Sequence, residues 1–380
     1  MSLHVHWYLP TNGDSRDIVG SGDGSQRTLG AVAAGFRPPD VDYLGQIARS
    51  AEQLGFESVL TPTGTWCEDA WIATAALTQV TKTLKFLVAF RPGLVSPTLA
   101  AHQAATFQRV SGGRLLLNVV TGGDSVEQRR FGDHLDHDQR YARTAEFLAV
   151  LRGVSGAAEP FDFDGEHYRI ERAAIPFAPW NPPAIFFGGA SPAAEQVAAR
   201  YVDTYLAWGE TPPQIATRLD RVRKLAHEAG REISFGIRFH VLSRDTSAAA
   251  WAEAGRLLDR IDDARVADVQ RQLAASESVG QQRMSALHRG NRDDLVIHPN
   301  VWAGYGLVRG GAGTALVGSH AEVAERIGEY HELGIDHFIL SGQPHLEEAY
   351  HFAEGVLPIL RAAGATGGPP APANPTKEAR

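Results

Sequence analysis

The run F-G-I-R-F-H-V-L-S, residues 235–243, decides how this chain is read. Side chains on a β-strand alternate between faces, so Ile237, Phe239 and Val241 share one face, and Arg238 and His240 lie about 7 Å apart on the other. A surface strand would carry Thr, Lys or Glu beside such residues, and this one is apolar everywhere else. It therefore reads as a strand buried on one side against helices, with a guanidinium and an imidazole turned toward an interior. Both groups are costly there unless they are paired or used.

Similar apolar runs recur on either side, at 3–9, 58–62, 85–90, 115–120, 184–189, 204–208 and 337–342, separated by helical patterns that often end in Gly. In D-Y-L-G-Q-I-A-R-S-A-E-Q-L-G the residues Leu44, Ile47, Ala48, Ala51 and Leu54 fall on one helical face, and Gly55 supplies the C-terminal cap. S-H-A-E (319–322) has the capping-box spacing for a helix that Gly334 closes. Helix, glycine and buried strand in repetition indicate βα units. Eight of them predict an α/β fold, a (β/α)8 TIM barrel whose chemistry sits at the C-terminal ends of the strands. The expected organisation is one domain over 1–361 with insertions at about 122–183 and 245–318, then a disordered Pro/Gly/Ala-rich tail at 362–380. The second insertion holds G-Y-G-L-V-R-G-G-A-G-T-A-L-V-G (304–318), whose six glycines predict a mobile lid.

Composition narrows the class. A net charge of −8 with no basic stripe argues against nucleic acid as a partner. The longest apolar runs are far short of a membrane span, and the N-terminus lacks a signal-peptide pattern. A single cysteine excludes an intramolecular disulfide framework, so the expected location is cytoplasmic. One Cys and two Met in 380 residues is also sparse, compatible with drift in composition or with manufacture when sulfur is scarce.

Strand ends supply the candidate site. P-T-G-T-W-C-E-D-A-W (62–71) puts Cys67 at the barrel mouth, and Trp208 ends another strand. A lone Cys is more often inert than reactive. Gly188, Gly189, Ala190 and Ser191 precede a helix and would expose backbone N–H groups to a phosphate. Asn118, Thr121 and Gly122 close the fourth strand, and His137 and Tyr141 lie in the first insertion. Neither G-x-G-x-x-G nor G-x-x-x-x-G-K-[ST] occurs. His4 and His6 form an H-x-H that a metal-dependent barrel hydrolase could use, but the ends of strands five and eight offer no further ligand, so no metal is expected.

Taken in order, P-T-G-x-x-C-E-D-A-W, L-K-F-L-V-A-x-R-P, N-x-V-T-G, L-D-H-x-x-R-Y, F-G-I-R-x-H-V, S-V-G-Q-Q-R-M, L-V-R-G-G-A-G-T-A-L-V-G and S-G-x-P-H-L-E-E-A-Y closely resemble the two-component, reduced-FMN-dependent alkanesulfonate monooxygenases of the bacterial-luciferase-like barrels. The resemblance runs from residue 1 to about 361; the segment near 24–38 and the tail stand outside it. It implies reduced FMN (FMNH2) as a dissociable cosubstrate taken from a separate NAD(P)H-dependent FMN reductase, dioxygen, cleavage of a carbon–sulfur bond to an aldehyde and sulfite, and a homodimer or homotetramer. It also implies an active site of Cys67, Trp208, Arg238, His240 and Arg309. The flavin site it implies is Asn118, Thr121, Gly122, His137, Tyr141 and Gly188 to Ser191. Arginines facing an anionic sulfonate explain the polar face of the opening strand. His240 would be a base or an orienting group. Where the family usually has Tyr, this chain has Gln343, which predicts a roomier pocket favouring polar or hydroxylated sulfonates such as sulfoquinovose. The alternative is another flavin- or deazaflavin-dependent oxidoreductase of the same barrel family.

Overall fold

The computed structural model describes residues 3–19, 35–156, 159–175 and 181–364. Most of the expected tail and most of the segment near 24–38 lie outside those residues. The described strands are β1 (His4–Tyr8), β2 (Ser58–Thr61), β3 (Lys85–Phe90), β4 (Leu115–Val119), β5 (Phe161–Asp164), β6 (Arg169–Ala173), β7 (Ile185–Gly188), β8 (Thr204–Trp208), β9 (Ser234–Arg244), β10 (Val296–His298), β11 (Val301–Trp302), β12 (Ala315–Ser319) and β13 (His337–Ser341). Eight of them pair in parallel in the cyclic order β1, β2, β3, β4, β7, β8, β9, β13 and back to β1, which closes a (β/α)8 barrel. These are the eight runs that the alternation in the sequence marks.

Alternation builds two cores. Ile237, Phe239 and Val241 pack outward with Trp7, Val59, Phe86, Val88 and Phe338 beneath the helices. Inside the barrel, Leu60, Leu87, Leu116, Phe186 and Ile339 fill the floor below Tyr8. The helices follow their signals. The helix Val41–Leu54 begins at the Asp40 cap and ends at Gly55, where φ of 88° favours glycine. The helix His320–Glu332 carries the full Ser319/Glu322 capping box.

Two departures from a plain barrel shape its mouth. The first insertion holds the helices Ser125–Arg130 and His137–Gly156 and the β5–β6 hairpin. In the second, β12 takes over the edge of β9 that β8 vacates: Trp208 faces Arg238, and from His240 onward the partner is Ala315 and its successors. Half of the glycine-rich run is thus a 3-10 turn (Gly304–Leu307) and a strand. Gln270 Nε2 donates to the carbonyls of Gly306 and Leu307 at 3.0 and 2.9 Å, and Gly311 N donates to Gln281 Oε1 at 2.9 Å. That seats the run over the barrel mouth. Among the described residues, no helix is long and apolar enough to cross a membrane.

Candidate active site

A cavity of about 350 Å³ opens at the C-terminal ends of the barrel strands. Its wall takes in Arg238, His240, Arg309 and Trp208, together with Asn118, Thr121, Gly122, His137, Tyr141, Gly188, Gly189, Ala190 and Ser191. Residues from six separate stretches of chain thus converge on one volume. Two predicted residues stay outside the wall. Cys67 sits behind it with Sγ 3.7 Å from the carbonyls of Pro62 and Gly64, and burial pushes its thiol up to about 12. Gln343 is fully buried, and its amide donates to the Asp17 carbonyl at 3.3 Å.

Parity along β9 turns Arg238 and His240 inward, and their partners define their states. His240 Nε2 lies 3.2 Å from the Ala312 carbonyl, which can only accept, so the proton resides on Nε2. Nδ1 then accepts the Ser341 hydroxyl at 2.7 Å, and Ser341 Oγ in turn accepts from Arg238 Nη1 at 3.0 Å. The Tyr305 ring stacks on the imidazole, 3.9 Å between centroids and 4° from parallel. Burial, with Arg238 and His345 nearby, holds the imidazole well below its ordinary value, so it is neutral. Both ring nitrogens are engaged, and His240 braces two elements: Arg238 through Ser341, and the segment carrying Arg309 through Ala312.

Arg238 donates also to the Phe239 carbonyl at 3.1 Å, and its Cζ stands 4.7 Å above the Tyr8 ring. Among the described residues it pairs with no carboxylate. Burial draws its pKa down to about 10, only partly offset by Tyr8 and Tyr305. Arg309 is 5% exposed, and burial draws it to about 10 as well, against Tyr8 and Asp14. The Asp14 carboxylate is itself committed to His345 Nδ1 (2.9 Å), the His345 amide (2.8 Å), the Tyr43 hydroxyl (2.5 Å) and the Ser15 amide (2.8 Å).

The part of the wall that follows β7, two strands from β9, suits a phosphorylated, planar ligand. Ser191 caps the helix Pro192–Tyr201 through Ala194 N, and the backbone of Gly188 to Ser191 leads into that N-terminus. A Cβ at Gly189 would lie 2.5 Å from Ala194 Cβ and 3.0 Å from Tyr141 Oη, so glycine keeps this cradle open. His137 and Tyr141 stand one helical turn apart with ring centroids at 4.8 Å. Gly280, on the helix Val279–His288, approaches the Trp208 ring closely; a Cβ there would be 3.1 Å from Cζ3.

Several wall residues were assigned no role from the sequence, although Trp66 and Ser278 fall within quoted runs: Tyr8, Trp66, Arg218, Ser278 and Ile339. Ser341 and Tyr305, which lie in quoted runs but were given no role there, support the wall. For Tyr8 a signal existed, since it follows His4 and His6 on the inward face of β1. His4 opens the strand and His6 stands at its middle, both N-terminal to Tyr8; His4 Nδ1 meets Glu57 and His6 bonds Ser58 and His337. Among the described residues, no group of three or more His, Cys, Asp or Glu is placed to hold a metal ion.

The family described as luciferase-like monooxygenase matches residues 5–337. Among solved structures, the chain is similar to a riboflavin lyase determined with modified FMN and riboflavin (21% identity, 98% of this chain and 94% of that one, TM-score 0.79). It is also similar to an EDTA monooxygenase from Chelativorans sp. BNC1 (19%, 97% and 95%, TM-score 0.73). A third likeness is to an F420-dependent secondary alcohol dehydrogenase holding an F420-acetone adduct (17%, 94% and 99%, TM-score 0.65). At these identities the shared property is the fold.

Proposed function

The chain belongs to the luciferase-like monooxygenase family, and from that premise we propose that it is a two-component monooxygenase that desulfonates an organosulfonate with reduced FMN and dioxygen. The products are an aldehyde, sulfite, oxidised FMN and water. One oxygen atom ends on carbon and the other in water, and the carbon–sulfur bond breaks with its electron pair on sulfur.

The observation that carries this reading is Arg238: a guanidinium on the cavity wall whose protein partners are all neutral and whose charge burial disfavours. Such a group is stabilised by a ligand that brings the missing negative charge. A sulfonate is anionic at every physiological pH, and Arg309 on the same wall adds a second donor. The cradle at Gly188 to Ser191 would take the FMN phosphate, with Asn118, Thr121, Gly122, His137 and Tyr141 along its length. Bound reduced FMN supplies the two electrons with which dioxygen is activated. Trp66 and Trp208 give the cavity apolar wall, which favours excluding water from charged reactants. His240 keeps its proton on Nε2 and sets the position of Arg238 instead of reaching the substrate.

The flavin donor in this reading is a separate NAD(P)H-dependent FMN reductase, which fits a sequence without a dinucleotide fingerprint, and the working form is a homodimer or homotetramer. The test is sulfite release from a panel of alkane, methane and sugar sulfonates, with reduced FMN supplied by any reductase. Absence of sulfite across the panel overturns the reading. The likeness to the F420-dependent dehydrogenase supports a second reading, a deazaflavin-dependent oxidoreductase. Tighter binding of the deazaflavin than of FMN would favour it.

A further inference from the structure

Tyr8 ends β1 on the cavity wall, in a position to which the motif residues assign no role. Its ring lies beneath the Arg238 guanidinium and packs against the His345 ring at 5.4 Å. Among the described residues its hydroxyl makes no hydrogen bond, yet it is not sealed from the cavity. Burial raises this phenol above its ordinary range, and the nearby charges of Arg238 and Arg309, which pull the other way, do not reverse that. The hydroxyl therefore keeps its proton and is a donor. A donor on the wall that also carries Arg238 and Arg309, within reach of both charges and without an acceptor of its own among the described residues, matches an anion that still has an oxygen to offer after the guanidiniums are satisfied.

We infer that Tyr8 contacts the substrate as the third donor of an anion clamp with Arg238 and Arg309, and that this clamp selects a three-oxygen head group, a sulfonate, over a planar carboxylate. The inference rests on the organosulfonate reading and deepens it. A carboxylate has two coplanar oxygens, which one guanidinium can occupy in a bidentate pair. A sulfonate presents a third oxygen out of any such plane, and the phenol on the same cavity wall is the donor that would take it.

The experiment titrates the full chain, with and without oxidised FMN, with octanesulfonate and with nonanoate, which share the same eight-carbon tail. Quenching of Trp66 and Trp208 reports binding. The wild type should prefer the sulfonate. Tyr8→Phe keeps the ring beneath Arg238 and removes only the hydroxyl. It should weaken octanesulfonate about tenfold, roughly 1.4 kcal/mol, and shift nonanoate less than about twofold, within that same conversion. Equal shifts for both anions, or none for either, overturn the clamp. A wild type that binds nonanoate as tightly as octanesulfonate, or binds neither, overturns it regardless of how the variant folds. The outcomes also separate the two readings. Sulfonate binding that depends on Tyr8 without sulfite release from any sulfonate supports the clamp and sinks the reaction. Normal sulfite release by Tyr8→Phe at an unchanged KM sinks the clamp and leaves the reaction.

Discussion

Two sets of arginines share the rim of this barrel and differ in what completes them. Just past the end of β8, Glu210 is 1% exposed and accepts from Arg218 and from Arg283, whose Nε lies 3.0 Å from Oε2. The carboxylate holds Arg283 above the ordinary guanidinium range. On the adjacent strand, Arg238 has a hydroxyl, a carbonyl and a ring for partners, and burial draws it down to about 10. Arg218 even lines the same cavity, but its charge is already answered. The contrast separates a cation that holds the fold from one that awaits a ligand. Lining a cavity does not distinguish them.

Removing one member from each set is the sharpest way to break the comparison. Arg238→Ala should lower kcat/KM for a sulfonate about a thousandfold, roughly 4 kcal/mol, while the melting temperature holds or rises, because an uncompensated buried charge has gone. Arg309→Ala should abolish sulfite production and change flavin affinity by less than about tenfold, since the groups that act on its charge are Tyr8 and Asp14 and not the Gly188 cradle. Glu210→Ala should do the opposite. It strands the buried guanidinium of Arg218 and removes the partner of the part-exposed Arg283, and should cost about 3 kcal/mol of stability, read as a fall in the denaturation midpoint. A stable Glu210→Ala protein, or an Arg238→Ala protein that melts early, erases the distinction.

Ser341 sharpens the comparison at smaller scale, because it lies between His240 and Arg238. Ser341→Ala leaves Arg238 without its hydroxyl acceptor and Nδ1 without its donor, and should lower kcat/KM about tenfold; Ser341→Thr should restore it. The pH profile distinguishes positioning from general damage. The Ser341 hydroxyl donates to neutral imidazole and so favours that form, adding to the burial that holds His240 well below 6.5. With the donor gone, the acid limb of the rate profile should move up toward 6.5. An unmoved limb means that Ser341 does not speak to His240.

How much of this was legible follows from where strands stop. Inside a strand the two-residue period carries the information, and it places Arg238, His240, Asn118, Gly188 and Trp208 inward without reference to any contact. The helix caps at Gly55 and Ser319 are equally local. Beyond a strand's last residue the period lapses. Gln343 comes two residues after β13 ends and turns toward the Asp17 carbonyl instead of the cavity. The strand β12 was hidden in a glycine-rich run, because its pairing depends on the edge of β9 that β8 leaves open. Ser341 and Tyr305 were hidden for another reason. Each matters through a partner 101 or 65 positions away, and no local pattern encodes a stacking ring or a relayed hydroxyl.

Cys67 tests the comparison from the side where almost nothing should happen. It was a candidate because it follows β2 at the barrel mouth and falls within the resemblance. A thiol beside an arginine can in general be activated by that charge. Here the neighbouring arginine is Arg91, closed against Glu127 at 2.6 Å with both side chains 6% exposed. A closed pair presents little net field: burial is the largest influence and raises the thiol, Thr11 lowers it, Glu127 raises it and Arg91 lowers it, leaving it at about 12. At pH 8 the thiolate fraction is then on the order of one in ten thousand, so iodoacetamide should react about a thousandfold more slowly than with an ordinary cysteine of pKa about 8.5. With no thiolate to lose and no place on the cavity wall, Cys67→Ser should change kcat/KM by less than about threefold, under about 0.7 kcal/mol. Alkylation at the rate of a free thiol would show that Arg91 acts as an open charge after all, and the rule that closed pairs build while open cations bind would fail where it is easiest to check.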